Sequence, residues 1–193
     1  SSDFFLDYLA LIKLFLDVPV VFSSHGLFFH TNFARNIKNI HFKVVTRTSL
    51  KNISAIVCDS HQDYNLLASI VPLEKLTQIP NGVDYKLFSS ISTVSKDPNL
   101  LISIGNLTLN KRQDKLLEVF AHLAQFNPMA KLVLIGPDKG RLPFLKELSL
   151  KLGIYQKVEF AGKISDRDLF EHLSTASIFL SASAYEGFGI ALL

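Results

Sequence analysis

The sequence has almost no cysteine and no tryptophan: Cys58 is the one cysteine among 193 residues. A single cysteine excludes the internal disulfides that hold many small secreted domains together. Because Cys58 lies in the apolar run AIVCDS, we predict a buried structural thiol in a reducing compartment. With 48% hydrophobic and only 19% charged residues, the composition excludes a disordered chain and indicates a globular protein with a large core.

Long uncharged hydrophobic runs are also absent. The opening DFFLDYLALIKLFLDVPVVF is interrupted by Asp3, Asp7, Lys13 and Asp17, so it lacks the roughly 18 consecutive apolar residues of a membrane-spanning helix. On a helix these charges fall within an arc of about 120°, which predicts a largely buried helix with one narrow solvated stripe. The segment also lacks the basic start and cleavage site of a signal peptide. We therefore interpret it as a core helix.

Acidic residues are missing between Val18 and Cys58, although the whole chain carries a net charge of only +3. Such a small net charge does not indicate nucleic-acid binding. The one-signed segment favours anionic partners such as phosphates or an acidic membrane face, with an ordinary solvated helix surface as the alternative. Its basic residues are Arg35, Lys38, Lys43, Arg47 and Lys51.

Short apolar runs alternate with amphipathic segments along most of the chain. This pattern predicts an α/β fold with parallel strands and helical crossovers. A Ser-rich stretch, FSSISTVSKDPN, has no periodicity and reads as a linker between two lobes. We predict one lobe in residues 1–88, a linker in 89–98 and a second lobe in 99–193.

Parallel open sheets bind ligands beyond the carboxyl ends of their strands. In the second lobe this rule points to the loops after ISIG, LIGP, EFAG and LSAS. The first of these loops, GNLTLNKRQD, places Lys111 just before a predicted helix, whose N-terminal amides and dipole favour anions. Lys111 therefore suits a phosphate, although a lysine at such a position, taken alone, is more often an exposed loop lysine. The loop matches neither G-x-G-x-x-G nor a Walker sequence.

Two further candidates follow strands. His25 and Gly26 come after the strand PVVFSS, where a histidine can donate to a ligand oxygen. In YEGFGIALL the glycines let the backbone bend and offer amides, while Glu186 can accept from hydroxyls. A structural histidine and a plain turn with a solvated glutamate are the alternatives.

Several kinds of chemistry are excluded or disfavoured. Ser165 and Asp168 in SDRDL have the spacing of a helix N-terminal cap rather than of a metal site. No other cluster of His, Cys, Asp and Glu has metal-ligand spacing, so we expect no metal. There is no G-x-S-x-G elbow, and Cys58 falls within a strand, so hydrolysis through a serine or cysteine nucleophile is disfavoured.

Four segments, in order along the chain, carry a family resemblance. They are His25-Gly26, the IPNGVD turn at Ile79 to Asp84, the lysine loop from Gly105 to Asp114, and Ser183 to Leu193, which opens an E-x7-E pattern. Together they resemble the retaining glycosyltransferases of the GT-B fold, family 4. The resemblance implies two Rossmann-like lobes with parallel sheets. The first would be the acceptor-side lobe and the second the nucleotide-sugar donor lobe.

A closer likeness is to bacterial mannosyltransferases that extend polyprenyl-diphosphate-linked oligosaccharides in exopolysaccharide assembly. DFFLDYLALIK, SSHGLFFHTNFARNIKNIHFKVVTRTS and EGFGIALL carry it. It implies GDP-mannose as donor substrate, a lipid-linked or saccharide acceptor, and no cofactor. It also implies a cytoplasmic protein with peripheral contact at the inner face of an anionic membrane, and no nucleic-acid partner.

The resemblance also implies site residues. His25 would lie by the transferred sugar, Lys111 would neutralise the donor diphosphate, and Glu186 would accept from sugar hydroxyls. The edge from Val158 to Gly162 would meet the nucleobase. The donor-binding set is Gly105, Asn106, Lys111, Arg112, Gly136, Val158, Phe160, Gly162, Glu186, Gly187, Phe188 and Gly189, and the acceptor-binding set is His25, Gly26, Arg35 and Lys38.

The chain departs from the family pattern at two places. Many relatives have arginine where this chain has Asn106, so either one diphosphate contact is lost or Arg112 replaces it. The second glutamate of E-x7-E would follow Leu193, and we expect the chain to be a fragment in which both lobes are incomplete. A non-catalytic nucleotide-sugar-binding module, a plain αβ scaffold and a two-lobed epimerase are the alternatives.

Overall fold

The computed structural model describes residues 8, 10, 12, 13, 15, 18–24, 35–84, 95–184, 186 and 189. The chain divides into two compact units, one of Ser1–Val83 with Glu186–Leu193 and one of Asp84–Tyr185. Both contain a parallel sheet with helical connections, which confirms the predicted α/β class. Residues 85–94 of the linker region lie outside the described residues, so the predicted domain boundaries stay a prediction.

The first unit has a parallel sheet in the order β1-β2-β3. Its strands are short, and alternate side chains of β2 are buried, as expected where one face of a sheet covers a core. Leu50, Ile53, Ile56 and Leu67 are fully buried at the centre of that core. The elements are β1 (Val21–Ser24), α1 (Arg35–His41), a π-helical segment (Phe42–Thr46), α2 (Arg47–Asn52), β2 (Ala55–Cys58), α3 (His61–Ala68) and β3 (Leu76–Gln78).

The second unit has a four-stranded parallel sheet in the order β6-β5-β4-β7. Alternate residues of its strands face opposite sides, because side chains of a strand alternate with a period of two. Leu132 and Leu134 face α4 and α5, whereas Val133 and Ile135 face α6. The elements are β4 (Asp97–Ile104), α4 (Gln113–Phe126), β5 (Lys131–Ile135), α5 (Leu142–Lys151), β6 (Val158–Gly162), α6 (Asp166–Thr175) and β7 (Ala176–Phe179).

Strands and helices alternate through the second unit as the pattern predicted, and the predicted cap at Ser165 is confirmed. The Ser165 hydroxyl oxygen accepts from the backbone N–H of Asp168 at 3.2 Å. The strand β4 begins at Asp97, inside the range predicted for the linker. The predicted opening helix lies mostly outside the described residues. Within the part of the chain that the structure describes, no helix is long and apolar enough to cross a membrane.

Cys58 is fully buried at the end of β2, as predicted. Burial, followed by the charge of Asp63, raises the pKa of the Cys58 thiol to about 11. The thiolate is the reactive form, so we expect Cys58 to react with a thiol reagent near neutral pH only when the protein unfolds. Measuring labelling against urea concentration, with Cys58→Ala as the background, tests this. Rapid labelling of the native protein would contradict it.

The raised pKa also has a consequence for stability. Well below pH 9.0 the thiol is protonated in both the folded and the unfolded chain. As the pH rises from 9.0 towards 11, the unfolded chain releases this proton first, so its contribution to folding stability is lost across that window.

Candidate functional site

The strand order of the second unit indicates where a ligand crevice would lie. The chain runs from β4 through β5 to β6 and then returns to form β7 on the other side of β4. Such a reversal is a topological switch point, and open parallel sheets bind ligands beside it at the carboxyl ends of the strands. The loops after β4 and β7 flank this point. A hydrogen bond joins them, from the Ala184 backbone N–H to the Asn110 carbonyl at 2.8 Å.

Three of the predicted donor-site glycines end neighbouring strands at this edge. The Gly105 N–H donates to the Ile135 carbonyl, and the Gly136 N–H donates to the Gly162 carbonyl, both at 2.8 Å. A Cβ atom on Gly136 would lie 2.2 Å from the Gly105 carbonyl oxygen. Only glycine therefore fits at position 136, because the backbones after β4 and β5 approach too closely for any side chain.

The loop from Gly105 to Arg112 is held against the loop after β5. The Leu107 N–H donates to the Pro137 carbonyl at 3.0 Å, and the Lys139 N–H donates to the Leu107 carbonyl at 3.2 Å. The Leu107 side chain is buried in the core of the unit. These contacts position the loop backbone before any ligand binds, which reduces the entropy that binding has to offset.

Gln113 holds the same loop from the helix side, a role that the sequence reasoning missed. Its side chain is buried at the start of α4, and its Nε2 donates to the Asn106 carbonyl at 3.0 Å. A buried amide requires a partner, so this contact fixes the backbone of Asn106. The sequence offered one signal for this role, a polar residue at a position of the helix that faces the core. Such residues are common in the first turn of a helix, so the signal did not single out Gln113.

Lys111 lies in a short 3-10 turn, Leu109–Lys111, with its stem across Gly105. A Cβ atom on Gly105 would lie 3.4 Å from Lys111 Cε and 3.5 Å from its Cδ. The missing side chain at position 105 therefore leaves space for the lysine stem. The stem of the half-buried Lys111 therefore lies at the carboxyl end of β4, and its contact with a ligand phosphate stays a prediction.

Arg112 directly precedes α4 in a left-handed conformation, with φ 51° and ψ 39°. This conformation costs a non-glycine residue about 1–2 kcal/mol, so the surrounding loop must hold it in place. Its Nε lies 3.6 Å from the Asp114 carboxylate, and 40% of its side chain is exposed. The geometry directs Arg112 towards the first turn of α4. That Arg112 takes over the role of the arginine which many relatives carry at position 106 stays a prediction.

The segment from Val158 to Gly162, which was predicted to meet the nucleobase, lies partly in the core and partly at the carboxyl end of the sheet. Val158 is buried at the amino end of β6, and Phe160 packs against the same core in mid-strand. Of this edge only Gly162 lies at the carboxyl end, with φ 67°. The structure thus groups Gly105, Asn106, Lys111, Gly136 and Gly162, and the nucleobase role of Val158 and Phe160 stays a prediction.

Other predicted site residues are described only in part. Glu186 and Gly189 are half-buried, and Gly189 has φ 77°, whereas Gly187 and Phe188 lie outside the described residues. His25 and Gly26 also lie outside them. Lys38 is half-buried on α1; Arg35 begins that helix, but its side chain lies outside the described part. Their roles stay predictions.

The carboxyl edge of the first unit also carries a contact that the sequence did not indicate. The Asn81 side-chain amide donates to the Asp59 carboxylate at 3.2 Å. Asp59 follows β2 and is buried, and Asn81 belongs to the IPNGVD turn after β3. The buried carboxylate therefore helps to hold that turn in position.

Two other features bear on the site. Among the described residues no group of three or more His, Cys, Asp and Glu side chains could hold a metal ion. A cavity of about 590 Å³ lies in the second unit, but Leu100, Leu132 and Val158 in its wall place it nearer the amino ends of the strands than the predicted ligand edge. It is therefore separate from the switch-point crevice.

Comparison with known proteins identifies the family. The family model for glycosyl transferases group 1 matches residues 84–193. The chain belongs to this family. The model for Glycosyltransferase Family 4 matches residues 1–87, so the two models together cover both units described above. The resemblance inferred from the four segments is thereby confirmed.

Curated relatives add detail. The chain is 32% identical over 98% of its length to a GDP-mannose:cellobiosyl-diphosphopolyprenol alpha-mannosyltransferase of Xanthomonas campestris, and spans 50% of that protein. It is 30% identical over 99% of its length to the Komagataeibacter xylinus protein of the same name, and spans 48% of it. The chain therefore spans about half the length of these relatives.

A solved structure supports the fold. Anabaena Alr3699/HepE, crystallised with UDP and glucose, has a TM-score of 0.75 and 19% identity over 96% of this chain and 52% of that one. This likeness confirms the predicted GT-B architecture of the transferase family.

Proposed function

We propose that this protein is a retaining glycosyltransferase that moves mannose from GDP-mannose to a lipid-linked saccharide in exopolysaccharide or cell-surface glycan assembly. The observation that carries the proposal is the loop from Gly105 to Arg112, which contains Lys111. Contacts from the loop after β5, from Gln113 and from the loop after β7 hold it at the switch point. Family membership makes a nucleotide sugar the natural ligand of that loop. The mannosyltransferase relatives named above support the donor and acceptor classes.

The chemistry required is the departure of a nucleoside diphosphate from the sugar. Negative charge grows on the departing diphosphate in the transition state, and a fixed cation near that charge lowers the barrier. Lys111 would supply this cation. The backbone amides of the loop and the N-terminal end of α4 favour the same anion. Glu186 would accept hydrogen bonds from sugar hydroxyls, and His25 would lie near the transferred sugar.

A second candidate function is a nucleotide-sugar-binding module without turnover. Asn106 favours it, because arginine follows the loop glycine in many members of the family and would add a diphosphate contact. In this chain the Arg112 side chain lies close to Asp114 instead. A module of this kind would bind the donor and show no transfer in any acceptor screen.

The acceptor determines where the protein works. The two mannosyltransferase relatives act, by name, on a diphosphopolyprenol-linked saccharide, whose lipid part resides in a membrane. We propose that this protein likewise meets its acceptor at the inner face of the cytoplasmic membrane. The acid-free segment from Val18 to Cys58 would face the anionic lipids there.

Donor binding can be tested by thermal unfolding of the full-length protein with GDP, UDP and GDP-mannose. A ligand at 100 times its dissociation constant adds about 2.7 kcal/mol to the free energy of unfolding. We expect GDP and GDP-mannose to raise the Tm, and UDP to raise it less. A larger shift with UDP would mean that the donor carries uracil rather than guanine. No shift with any nucleotide would contradict the donor site.

Transfer can then be measured with radiolabelled GDP-mannose and a polyprenyl-diphosphate-linked disaccharide. Product with a retained anomeric configuration would support the enzyme. Donor binding without product, over a range of acceptors, would favour the binding module.

A further inference from the structure

The loop after β5 turns into α5 around one carboxylate. Asp138 Oδ1 accepts from the backbone N–H groups of Gly140, Arg141 and Leu142, at 2.9, 2.8 and 3.0 Å. Leu142 is the first residue of α5, and Arg141 at its N-cap position makes no side-chain cap bond. Asp138 therefore supplies the acceptor that the amides at the start of this helix require.

The charge of Asp138 strengthens these bonds. Hydrogen bonds from the backbone, that from Leu142 foremost, lower the pKa of the Asp138 carboxyl, so this group is ionised at neutral pH. An ionised acceptor makes a stronger hydrogen bond with an N–H group than a neutral one does. The Asp138 side chain is exposed, so these bonds, rather than burial of the side chain, hold the turn in its conformation.

The same turn also supports the loop that carries Lys111. The Leu107 N–H donates to the Pro137 carbonyl, and the Lys139 N–H donates to the Leu107 carbonyl, so that Leu107 and Asp138 form an isolated parallel bridge. This bridge joins the turn around the carboxylate to the loop after β4. Lys111 follows Leu107 by four residues in that loop, and a change in the turn would therefore reach it through the backbone.

We propose that Asp138 is a positioning residue for donor binding: it holds the loop after β5 and thereby, through Leu107, fixes the place of Lys111. This inference rests on the proposed function, in which Lys111 meets the donor diphosphate. A loop that already has its bound conformation loses less entropy when the ligand binds. If the competent conformation falls to about one tenth of the molecules, the apparent dissociation constant rises about tenfold.

The first test measures GDP affinity of full-length variants by isothermal titration calorimetry. Asp138→Ala removes the acceptor and should raise the dissociation constant of GDP about tenfold. Asp138→Asn keeps an oxygen that accepts from the same amides, so its dissociation constant should stay within about threefold of the wild type. Equal losses in the two variants would overturn the proposal, because the position of the loop would then not depend on this acceptor oxygen.

Ser60→Ala is the matched control. Ser60 Oγ accepts from the Asp63 backbone N–H at 3.1 Å and caps α3 in the first unit, so this variant also loses a helix cap. Asp138→Ala and Ser60→Ala should each lower the Tm by about 2–4 °C. Only Asp138→Ala should weaken GDP binding. A similar weakening in Ser60→Ala would show that lower stability alone explains the effect, and it would overturn the proposal.

A double-mutant cycle shows whether Asp138 acts through Lys111. Lys111→Ala removes the group that Asp138 positions, so adding Asp138→Ala to it should weaken GDP binding by less than about threefold further. Two residues that act independently would give the full tenfold loss of Asp138→Ala in both backgrounds, since distant and independent effects add. That additive result would overturn the positioning role.

Amide hydrogen exchange of the protein without nucleotide separates this proposal from the proposed function. The Leu107 N–H should exchange about tenfold faster in Asp138→Ala than in the wild type, and Ser60→Ala should leave it unchanged. Faster exchange at Leu107 in a protein that binds no nucleotide would contradict the function and leave the positioning of the loop standing. Unchanged exchange at Leu107, with normal GDP binding by the wild type, would overturn the positioning and leave the function intact.

Discussion

Gly136→Ala is expected to lower the free energy of unfolding by about 3 kcal/mol or more, the upper range for a side chain forced into a filled site. The added Cβ would lie 2.2 Å from the Gly105 carbonyl oxygen and 2.6 Å from its carbon. These are backbone atoms, so the loops after β4 and β5 would have to separate. For a chain of this size the Tm should fall by roughly 6–12 °C, measured by circular dichroism.

The separation should also damage the site, because the Gly105 backbone supports the Lys111 stem. We expect GDP binding to weaken together with stability. Gly153→Ala is the matched control: Gly153 has φ 71°, yet nothing lies within 4 Å of its added Cβ. It should lose only about 1–2 kcal/mol, the cost of the left-handed conformation. An equal loss in both variants would mean that the contact between the two loops does not restrict position 136.

Lys111→Ala is expected to lower kcat of mannosyl transfer by about 10²–10³-fold, by analogy with the removal of a charged or hydrogen-bonding group from an oxyanion site. The variant leaves the fold intact, because the side chain is half-buried and the loop is held by Leu107 and Gln113. Initial rates at saturating GDP-mannose measure the effect. GDP should also bind more weakly, since the proposed contact between the ammonium group and the diphosphate would exist in both donor and product.

Lys115→Ala is the control for charge near the site. Lys115 lies on the first turns of α4, pairs with Glu118 at 2.6 Å, and does not belong to the proposed donor site. Its removal should change kcat by less than about threefold. Lys111→Arg should restore part of the rate, because it keeps the charge on a longer and differently shaped group. Equal rates for Lys111→Ala and the wild type would remove Lys111 from the mechanism.

Much of the second unit could be predicted from the sequence because its signals are local. A short apolar run such as KLVLI indicates a strand, and the 3.6-residue periodicity of QDKLLEVFAHLAQF indicates a helix. Ser165 and Asp168 identify a helix start for the same reason. Lys111 and the glycines after the strands could be assigned to one edge, since parallel strands share their carboxyl ends.

The contacts that hold the site could not be predicted in this way. Gln113 meets the Asn106 carbonyl, and Ala184 meets Asn110 across more than 70 residues of sequence. A glutamine or an alanine in the sequence does not indicate whether the residue makes such a contact or simply faces solvent. The π-helical turn at Phe42–Thr46 could not be predicted either, because no residue in that run is an obvious helix breaker.

The sequence by itself determined the fold class, since periodicity and turn chemistry depend on near neighbours along the chain, and it contained the four segments whose resemblance identified the family. Only the tertiary structure decided that Gly136 must be glycine, that Val158 belongs to the core, and that the turn at Asp138 meets the loop after β4. Each of these depends on which atoms from distant segments come within a few ångströms. Periodicity along one segment does not determine that distance.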